Sequence, residues 1–455
     1  MKNPHVLVAS FPAQGHINPS LQFAQRLATM GLKVTFATTI GADRRMAKTG
    51  IPDNLSFAAL SDGNDDGFKP IVNIGNYMTH DLRLHGSQTL RRLIQQASND
   101  GHPFTFVVYS ILIPWVAKVA REFHLPSALL WSQPATVFSI YYHYFNGYGE
   151  IIEKTINSAT LLLNLPNLPV LSVYDLPSFF SPAKSNEYAF VLPVVKEHLE
   201  ILDEEIKHNP KSAILVNTFD ALEVEVLKSI DKYKLVGVGP LLRSGSFGGS
   251  LFQESNGYIE WLNSKPQRSV IYISFGSISV MSEQQIEEMA IALEKIGSPF
   301  LWVIRENAIV KEKLNKGGLT VPWCNQVEVL SNPAIGCFIT HCGWNSTFES
   351  LTCGVPMVGF PQWTDQMTNA KLVQDLWKVG VRVVVNEEGI VEAKEIRRCL
   401  ELVMGDGDGG KEMRKSAKKW KDLAREAINE GGSTDKNVKA FVDVITSVDE
   451  VEEGC

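Results

Sequence analysis

Short apolar runs of strand length alternate with helical patterns through both halves of the chain. Val6–Phe11 and Lys33–Thr39 are such runs, and the helical pattern between them places on one face Leu21, Ala24, Leu27 and Ala28. The second half repeats this plan with Ser269–Ser274, a helical stretch from Ser282 through Ile296, and Leu301–Ile304. Continuous apolar strands separated by helices are typical of parallel sheets that are covered on both faces. We therefore predict an α/β fold built from two doubly wound domains in tandem.

The length of the chain supports this division. At 455 residues it is too long for a single core. The stretch Gly245–Gly249 is rich in small residues, so we place a linker at residues 243–253. The expected domains are residues 1–242 and residues 254–455, and we expect the C-terminal helix to pack back on the first of them.

Charge and cysteine content exclude several functional classes. The net charge of -7 and the isoelectric point near 5.9 argue against a partner that is a nucleic acid or an anionic membrane. No run of about 18 apolar residues predicts a membrane-spanning helix. The cysteines form no C-x-x-C pair, which argues against zinc and predicts a reducing compartment, with the cytosol as the expected location. They are Cys324, Cys337, Cys342, Cys353, Cys399 and Cys455.

A strand in the second half runs into a tight turn and then into a helix. The strand Cys337–Thr340 is followed by His341-Cys342-Gly343-Trp344-Asn345-Ser346. A helix N-terminus presents backbone N–H groups and a partial positive charge, so this turn suits a phosphate. His341, Asn345 and Ser346 can add side-chain donors to the same anion.

Residues around this turn complete a pattern suited to a sugar nucleotide. Trp323 offers a flat face for stacking a base, and Glu349 can accept hydrogen bonds from vicinal hydroxyls such as those of ribose. Asp365 and Gln366 end the next strand-to-helix loop and can bracket adjacent sugar hydroxyls. Taken singly, Trp323 and Trp344 are more often core aromatics, and Ser346 and Asp365 are more often helix caps. The order of the whole set favours a binding site.

The segment from Trp323 to Gln366 closely resembles the signature box of the plant family-1 UDP-glycosyltransferases, the plant secondary product glycosyltransferases. The resemblance spans the chain and includes PAQGHINP at residues 12–19, SFGS at 274–277 and KNVKAFV at 436–442. It implies a GT-B fold, in which two Rossmann-like domains face each other across a cleft. It also implies inversion at the anomeric carbon, no metal, no cofactor beyond the UDP-glucose co-substrate, and a monomer.

The resemblance also implies a role for each matching residue. Trp323 would stack on uracil while the backbone of Cys324 reads the base edge, and Gln326 and Glu349 would meet the ribose. The residues implied to hold the diphosphate are His341, Asn345, Ser346 and Ser277. Those implied to hold the hexose are Trp344, Asp365 and Gln366, with Ser132 reaching the 6-hydroxyl or the β-phosphate. A Gln at position 366 favours glucose over galactose.

His16 is the expected general base. It follows the first strand, in a loop that we expect to face the cleft, and a neutral imidazole can take a proton from an acceptor hydroxyl. Many relatives carry an Asp that supports this His, but Ser110 stands at that position here. Either another carboxylate helps, or His16 acts alone or through a water, or the acceptor needs little deprotonation. A carboxylate acceptor is already ionised near neutral pH, and an acidic phenol is an intermediate case. We therefore predict tolerance for carboxylic or acidic phenolic acceptors.

The first domain is expected to bind a small hydrophobic acceptor. Aromatic residues are frequent in Val72–His85 and in Thr136–Asp175, where Tyr141 and its neighbours fit a pocket or a core equally well. Residues 106–148 resemble the subgroup of anthocyanin 5-O-glucosyltransferases and of glucosyltransferases for apocarotenoid and hormone carboxylates. The alternative function is a non-catalytic UDP-sugar-binding or sensor protein. A galactosyl- or glucuronosyltransferase is disfavoured by Gln366.

Overall fold

The computed structural model describes residues 4–65, 73–158, 160–180, 188–208, 212–242, 250–304 and 317–447. The chain forms two compact units. Unit 1 consists of the residues up to Ser172, of Phe179–Leu251 and of the residues from Glu426 onwards. Unit 2 takes Val173–Ser178 and Phe252–Arg425. Of the predicted linker, residues 243–249 lie outside the described residues.

Unit 1 is built on a seven-stranded sheet in the order β3-β2-β1-β4-β5-β6-β7, with every recorded pairing parallel. Its strands are β1 His5–Ala9, β2 Lys33–Thr39, β3 Leu55–Leu60, β4 Phe106–Ser110, β5 Ser127–Trp131, β6 Ala213–Val216 and β7 Lys234–Gly237. The strand order reverses between β1 and β4. Ligands bind at such a switch point, outside the carboxyl ends of the strands. His16 follows β1 and Ser110 ends β4, so both lie at this edge.

Helices cover the sheet of unit 1. The α-helices are Gln14–Thr29, Ile40–Arg45, Ile74–Asn76, Leu82–Asn99, Trp115–Glu122, Ala135–His143, Gly149–Ile156, Val191–His208, Val224–Leu227 and Ser433–Ser447. Shorter π and 3₁₀ turns lie at Tyr77–Asp81, Tyr144–Tyr148 and Ser178–Phe180.

The last helix belongs to the core of unit 1. Val438, Phe441 and Ile445 are buried with apolar residues of β1, β2 and the first helix. The ring of Phe441 lies 5.4 Å from that of Phe106 and 5.9 Å from that of Phe23, measured between centroids. The C-terminal stretch therefore completes a core that begins with the first strand.

Unit 2 contains a six-stranded sheet in the order β10-β9-β8-β11-β12-β13, again with parallel pairings. Its strands are β8 Val270–Ser274, β9 Phe300–Val303, β10 Gly318–Val321, β11 Ile335–Thr340, β12 Met357–Gly359 and β13 Gly380–Arg382. The order reverses between β8 and β11, which creates a second switch point.

The helices of unit 2 follow its strands in the alternation that the sequence predicts. They are Tyr258–Asn263, Glu283–Ile296, Gln326–Ser331, Trp344–Cys353, Gln366–Lys371, Ala393–Met404 and Asp408–Ile428, with a π turn at Leu372–Leu376 and a 3₁₀ turn at Val173–Asp175. Ser282 caps the second of these helices by accepting the N–H of Gln285. The prediction of two doubly wound α/β domains is confirmed.

One local prediction is wrong. The first helix begins at Gln14, so His16 lies in its first turn and not in a loop. Proline is common at the first position of a helix, where its missing N–H would have no partner within the helix. Here Pro19 stands inside the helix, past its first turn.

Candidate active site

Three parallel strands of unit 2 end at one edge of its sheet. Thr340 at the end of β11 pairs with Ser274 of β8 on one side and with Gly359 of β12 on the other. The loops that follow these strands therefore lie side by side. They carry Ser277, the turn beginning at His341, and the segment that ends at Asp365.

The turn after β11 has the form expected of an anion site. Cys342 adopts φ +59°, in the left-handed region, and its N–H donates to the Thr340 hydroxyl at 3.2 Å. This sharp turn starts the helix Trp344–Cys353 directly after Gly343. The first N–H groups of a helix have no partner within the helix, and they bind anions well.

Two glycines enclose the imidazole of His341. A Cβ added at Gly276, where φ is +76°, would stand 2.7 Å from Nε2 of His341. A Cβ at Gly343 would also collide with that nitrogen. Burial lowers the pKa of His341 to about 4, so the ring is neutral near pH 7 in this state. Glycine at both positions permits the close approach of backbone to this ring.

Gln326, Ser346 and Glu349 form a hydrogen-bonded cluster. The amide nitrogen of Gln326 donates to Oγ of Ser346 at 2.8 Å and to Oε2 of Glu349 at 2.6 Å, while its oxygen accepts from the Tyr272 hydroxyl at 3.2 Å. Glu349 is only 7% exposed, one turn along the helix from Ser346. The structure thus brings together residues that are 20 and 23 positions apart in the sequence.

Trp323 precedes Gln326 by three residues in the sequence and is followed by Cys324. One face of its indole contacts Phe252, with ring centroids 4.3 Å apart and planes tilted by 35°. Its carbonyl accepts the N–H of Ser255 at 3.0 Å. Cys324 is buried with its thiol 3.5 Å from the Tyr272 hydroxyl, and burial raises the pKa of that thiol to about 12. The thiol is therefore protonated near neutral pH.

The Asp365–Gln366 pair is held in a defined orientation. Asp365 accepts from the Thr364 hydroxyl at 2.9 Å and from the Asn369 amide at 2.6 Å. Oε1 of Gln366 accepts the N–H groups of Gln362 and Trp363, at 2.9 and 3.1 Å. The Gln366 amide nitrogen is thus the end of the side chain suited to donate to a ligand.

Asn369 is a residue that sequence reasoning missed. Its amide also donates to the carbonyl of Cys342 at 2.8 Å. It therefore connects the anion-binding turn to Asp365. The only signal in the sequence is its spacing, four residues after Asp365, which places both on one helical face.

The structure restricts the expectation for Trp344. Its side chain is 4% exposed and stacks on Phe348 with centroids 4.8 Å apart, near Trp377 at 5.9 Å. The indole is a core group because the first residue of this helix turns inward. Contact with a hexose can therefore come from its backbone and not from its ring.

The carboxyl edge of unit 1 carries His16 and Ser110. Nδ1 of His16 is buried without a hydrogen-bond partner among the described residues, and its ring meets Phe11 edge-on with centroids 5.2 Å apart. Burial lowers the pKa of His16 to about 4, and no carboxylate within the described ranges counteracts this. Oγ of Ser110 accepts the N–H of Phe11 at 2.9 Å. Ser110 therefore supports the backbone that leads to His16.

Ser132 lies in the turn between β5 and the helix Ala135–His143, and it is 5% exposed. The carboxylate of Glu223 accepts the first N–H groups of that helix, from Ala135 and Thr136, each at 2.9 Å. It also accepts the Thr136 hydroxyl at 2.7 Å. Glu223, which the sequence did not single out, fixes the helix that follows Ser132.

Aromatic side chains after this turn divide between core and surface. Tyr141 is 2% exposed and packs against Trp131 and Phe180, so it is a core residue. Tyr144 is only partly buried, and its hydroxyl donates to Glu153 at 3.1 Å.

Within the part of the chain that the structure describes, no group of three or more His, Cys, Asp or Glu side chains could hold a metal ion. Nor does any helix in those ranges combine the length and the apolar character needed to cross a membrane.

Comparisons with known proteins give one consistent result. A family model described as "UDP-glucoronosyl and UDP-glucosyl transferase" matches residues 251–417. Phloretin 4'-O-glucosyltransferase of Malus domestica is 54% identical over 96% of this chain and 97% of its own. Crocetin glucosyltransferase, chloroplastic, of Gardenia jasminoides is 53% identical over 96% and 97%. The crystal structure of Os79 from O. sativa in complex with UDP superposes with a TM-score of 0.85 and 33% identity, over 97% of this chain and 100% of that one.

Proposed function

The chain belongs to the family of UDP-glucuronosyl and UDP-glucosyl transferases and is a UDP-glucose-dependent glycosyltransferase; we propose that it glucosylates a hydroxyl or carboxyl group of a small hydrophobic plant metabolite at a site formed by the residues described above. The resemblance stated from the sequence is confirmed. The observation that carries the site assignment is the cluster of Gln326, Ser346 and Glu349 at the anion-binding turn of unit 2.

The nucleotide occupies this turn in our proposal. Uracil stacks on the face of Trp323 opposite Phe252, and the Cys324 backbone reads its edge. Gln326 and Glu349 hold the ribose, because a buried carboxylate is a strong acceptor for two vicinal hydroxyls. The diphosphate lies at the N-terminus of the helix Trp344–Cys353 and is held by His341, Asn345, Ser346 and Ser277.

The hexose extends to the next loop. The carboxylate of Asp365 accepts from sugar hydroxyls, while the amide nitrogen of Gln366 donates to one. Trp344 contributes its backbone N–H, and Ser132 reaches the 6-hydroxyl or the β-phosphate. The Gln at position 366, which the resemblance associates with glucose, and the glucosyltransferases among the relatives support glucose as the transferred sugar.

The reaction is a direct displacement with inversion. The acceptor oxygen attacks the anomeric carbon of glucose from the side opposite UDP, so the new C–O bond forms as the bond to the diphosphate breaks. The helix N-terminus and its polar side chains stabilise the charge that develops on departing UDP. His16 receives the acceptor proton when the acceptor is a hydroxyl.

The surroundings of His16 favour acceptors that lose a proton easily. Burial lowers the pKa of His16, and no carboxylate in the part of the chain that the structure describes offsets this. Ser110, at the position of the usual Asp, bonds instead to the backbone. A carboxylate acceptor brings no proton to remove, and an acidic phenol requires little assistance. We therefore expect glucose esters and glucosides of acidic phenols among the products.

The remaining expectations concern partners and location. The partners are UDP-glucose and the small acceptor, and we expect a cytosolic monomer that needs neither a metal nor a further cofactor. The named relatives are enzymes, which argues against a non-catalytic UDP-sugar-binding protein.

The test is a panel of flavonoids, anthocyanidin glucosides, apocarotenoid acids and hormone acids, each incubated with UDP-glucose and followed by mass spectrometry. We expect products that gain one hexose residue, with transfer to phenols abolished in His16→Ala and transfer to carboxylates partly retained. His102→Ala, at an exposed histidine of unit 1, is the matched control and should behave as the parent. UDP-glucose binding without product on any acceptor would overturn the proposal.

A further inference from the structure

A short segment from the first half of the sequence is part of unit 2. Residues Val173–Ser178 belong to unit 2, whereas the residues on both sides, Ser172 and Phe179, belong to unit 1. The segment contains the 3₁₀ turn Val173–Asp175, and both Asp175 and Ser178 are buried. It docks on the loop and helix that carry Asp365 and Gln366.

One end of the segment pairs with Thr364. The N–H of Ser178 donates to the carbonyl of Thr364 at 2.9 Å, and Oγ of Ser178 accepts the N–H of Thr364 at 2.7 Å. Both polar backbone groups of Thr364 are thus bonded to one residue. Thr364 has φ +59°, a conformation that is unfavourable for a β-branched residue and persists only where its surroundings enforce it.

The other end of the segment pairs with residues that follow Asp365 and Gln366 in the chain. The Thr368 hydroxyl donates to the carbonyl of Asp175 at 2.7 Å. The carboxylate of Asp175 accepts from Arg382 at 3.0 Å and lies 3.8 Å from the ammonium of Lys371. Arg382 also donates to the carbonyl of Tyr174 at 2.7 Å.

These two sets of bonds bracket Asp365 and Gln366 in the chain. Thr364 precedes the pair directly, and its hydroxyl donates to the Asp365 carboxylate at 2.9 Å. Thr368 lies two residues after Gln366, in the helix that Gln366 begins. A displacement of Ser178 would therefore move Thr364, and with it the Asp365 carboxylate that is proposed to hold the hexose.

We propose that Asp175 and Ser178 are positioning residues for recognition of the donor sugar. Through Thr364 and Thr368 they set the orientation of Asp365 and Gln366, so that the enzyme's preference among UDP-hexoses depends on them. The nucleotide half of the donor is held by Trp323 and other groups that take no part in these bonds. The inference rests on the proposed function, since it requires that Asp365 and Gln366 bind the hexose.

The test compares Ser178→Ala with Ser350→Ala. Ser350 is a matched control, because it is also buried in unit 2 and its hydroxyl also makes one bond to a backbone group, the carbonyl of Val355. In Ser178→Ala we expect KM for UDP-glucose to rise about three- to tenfold, as a single buried hydrogen bond predicts. The ratio of kcat/KM for UDP-glucose over UDP-galactose should fall, while the Kd of UDP itself should stay within about twofold of the parent. Ser350→Ala should change none of these values.

Two further variants keep the result decisive. Thr368→Val removes only the bond to Asp175 and keeps the shape of the side chain, so it replaces Ser178→Ala if that protein proves unstable and should show the same pattern. Asp365→Asn tests the premise, and it should weaken UDP-glucose binding without affecting UDP. If Asp365→Asn has this effect but Ser178→Ala and Thr368→Val keep the parental KM and donor ratio, the positioning role is overturned alone. If Asp365→Asn also has no effect, the proposed hexose site is overturned with it.

Discussion

The protonation state of His16 yields a pH dependence that differs from that of an ordinary histidine base. Burial lowers its pKa from the usual value of 6.5 to about 4. A lowered pKa means that the neutral, proton-accepting form persists as the pH falls, and that it is lost only when the pH approaches 4. At pH 5.5 a base with a pKa of 6.5 would be about 9% neutral, whereas one with a pKa of about 4 would be about 97% neutral.

The measurement is kcat/KM between pH 5 and pH 8 with a phenol whose own pKa is near 10, so that the acceptor does not titrate in this range. We expect a change of less than about twofold between pH 5.5 and pH 7.5, where an unperturbed histidine would give a loss of roughly tenfold. Circular dichroism at each pH confirms that the protein remains folded.

A substitution at position 110 should have the opposite effect and raise the pKa of His16. Ser110→Asp places a carboxylate in the buried environment of the Phe11 backbone, where Oγ now accepts a hydrogen bond. A nearby negative charge favours the imidazolium and raises the pKa of His16. The acid limb of the Ser110→Asp profile should therefore move to higher pH. A parental profile that already falls with an apparent pKa of 6 to 7 would refute the reasoning.

Three other substitutions test the donor site and the core. Gly276→Ala forces a Cβ to within 2.7 Å of His341 Nε2 at a positive φ, so UDP affinity should fall about tenfold or more in calorimetric titration. Gln326→Ala removes the bonds to Ser346 and Glu349, and the Kd of UDP should rise about ten- to hundredfold. Phe441→Ala empties a buried site in unit 1 and should lower the free energy of unfolding by about 3–5 kcal/mol in urea denaturation.

Each of these has a matched control. Gly389→Ala imposes the same kind of backbone strain at φ +77°, where no atom lies within 4 Å of the added Cβ, and should leave UDP binding intact. Asn332→Ala is the control for Gln326→Ala, because Asn332 lies at the opposite end of the helix that Gln326 begins. Thr446→Ala is the control for Phe441→Ala, because Thr446 is exposed on the same helix. Equal effects in a variant and its control would contradict the corresponding prediction.

Sequence reasoning succeeded where the chemistry is local. The turn at His341 could be predicted because a strand, a glycine-containing turn and a helix start follow one another without interruption. The parallel pairing in both sheets could be predicted from the alternation of strands and helices, because parallel strands require crossover connections. The resemblance then supplied residue roles that spacing alone did not determine.

Contacts between distant residues could not be predicted in this way. Glu223 caps a helix that begins 88 residues earlier in the chain, and Asp175 pairs with Arg382 across 207 residues. Neither residue belongs to a local pattern, so only tertiary packing reveals it. The inward orientation of Trp344 could not be predicted for the same reason. The start of a helix can be located in the sequence, but the face that meets the core depends on tertiary packing.

A crystal structure of the protein with UDP would test the central claim most directly. The account predicts uracil on the Trp323 face opposite Phe252, the ribose hydroxyls at Glu349, and the diphosphate at the N-terminus of the helix Trp344–Cys353. UDP bound elsewhere in unit 2, or a diphosphate that makes no contact with that turn, would contradict it.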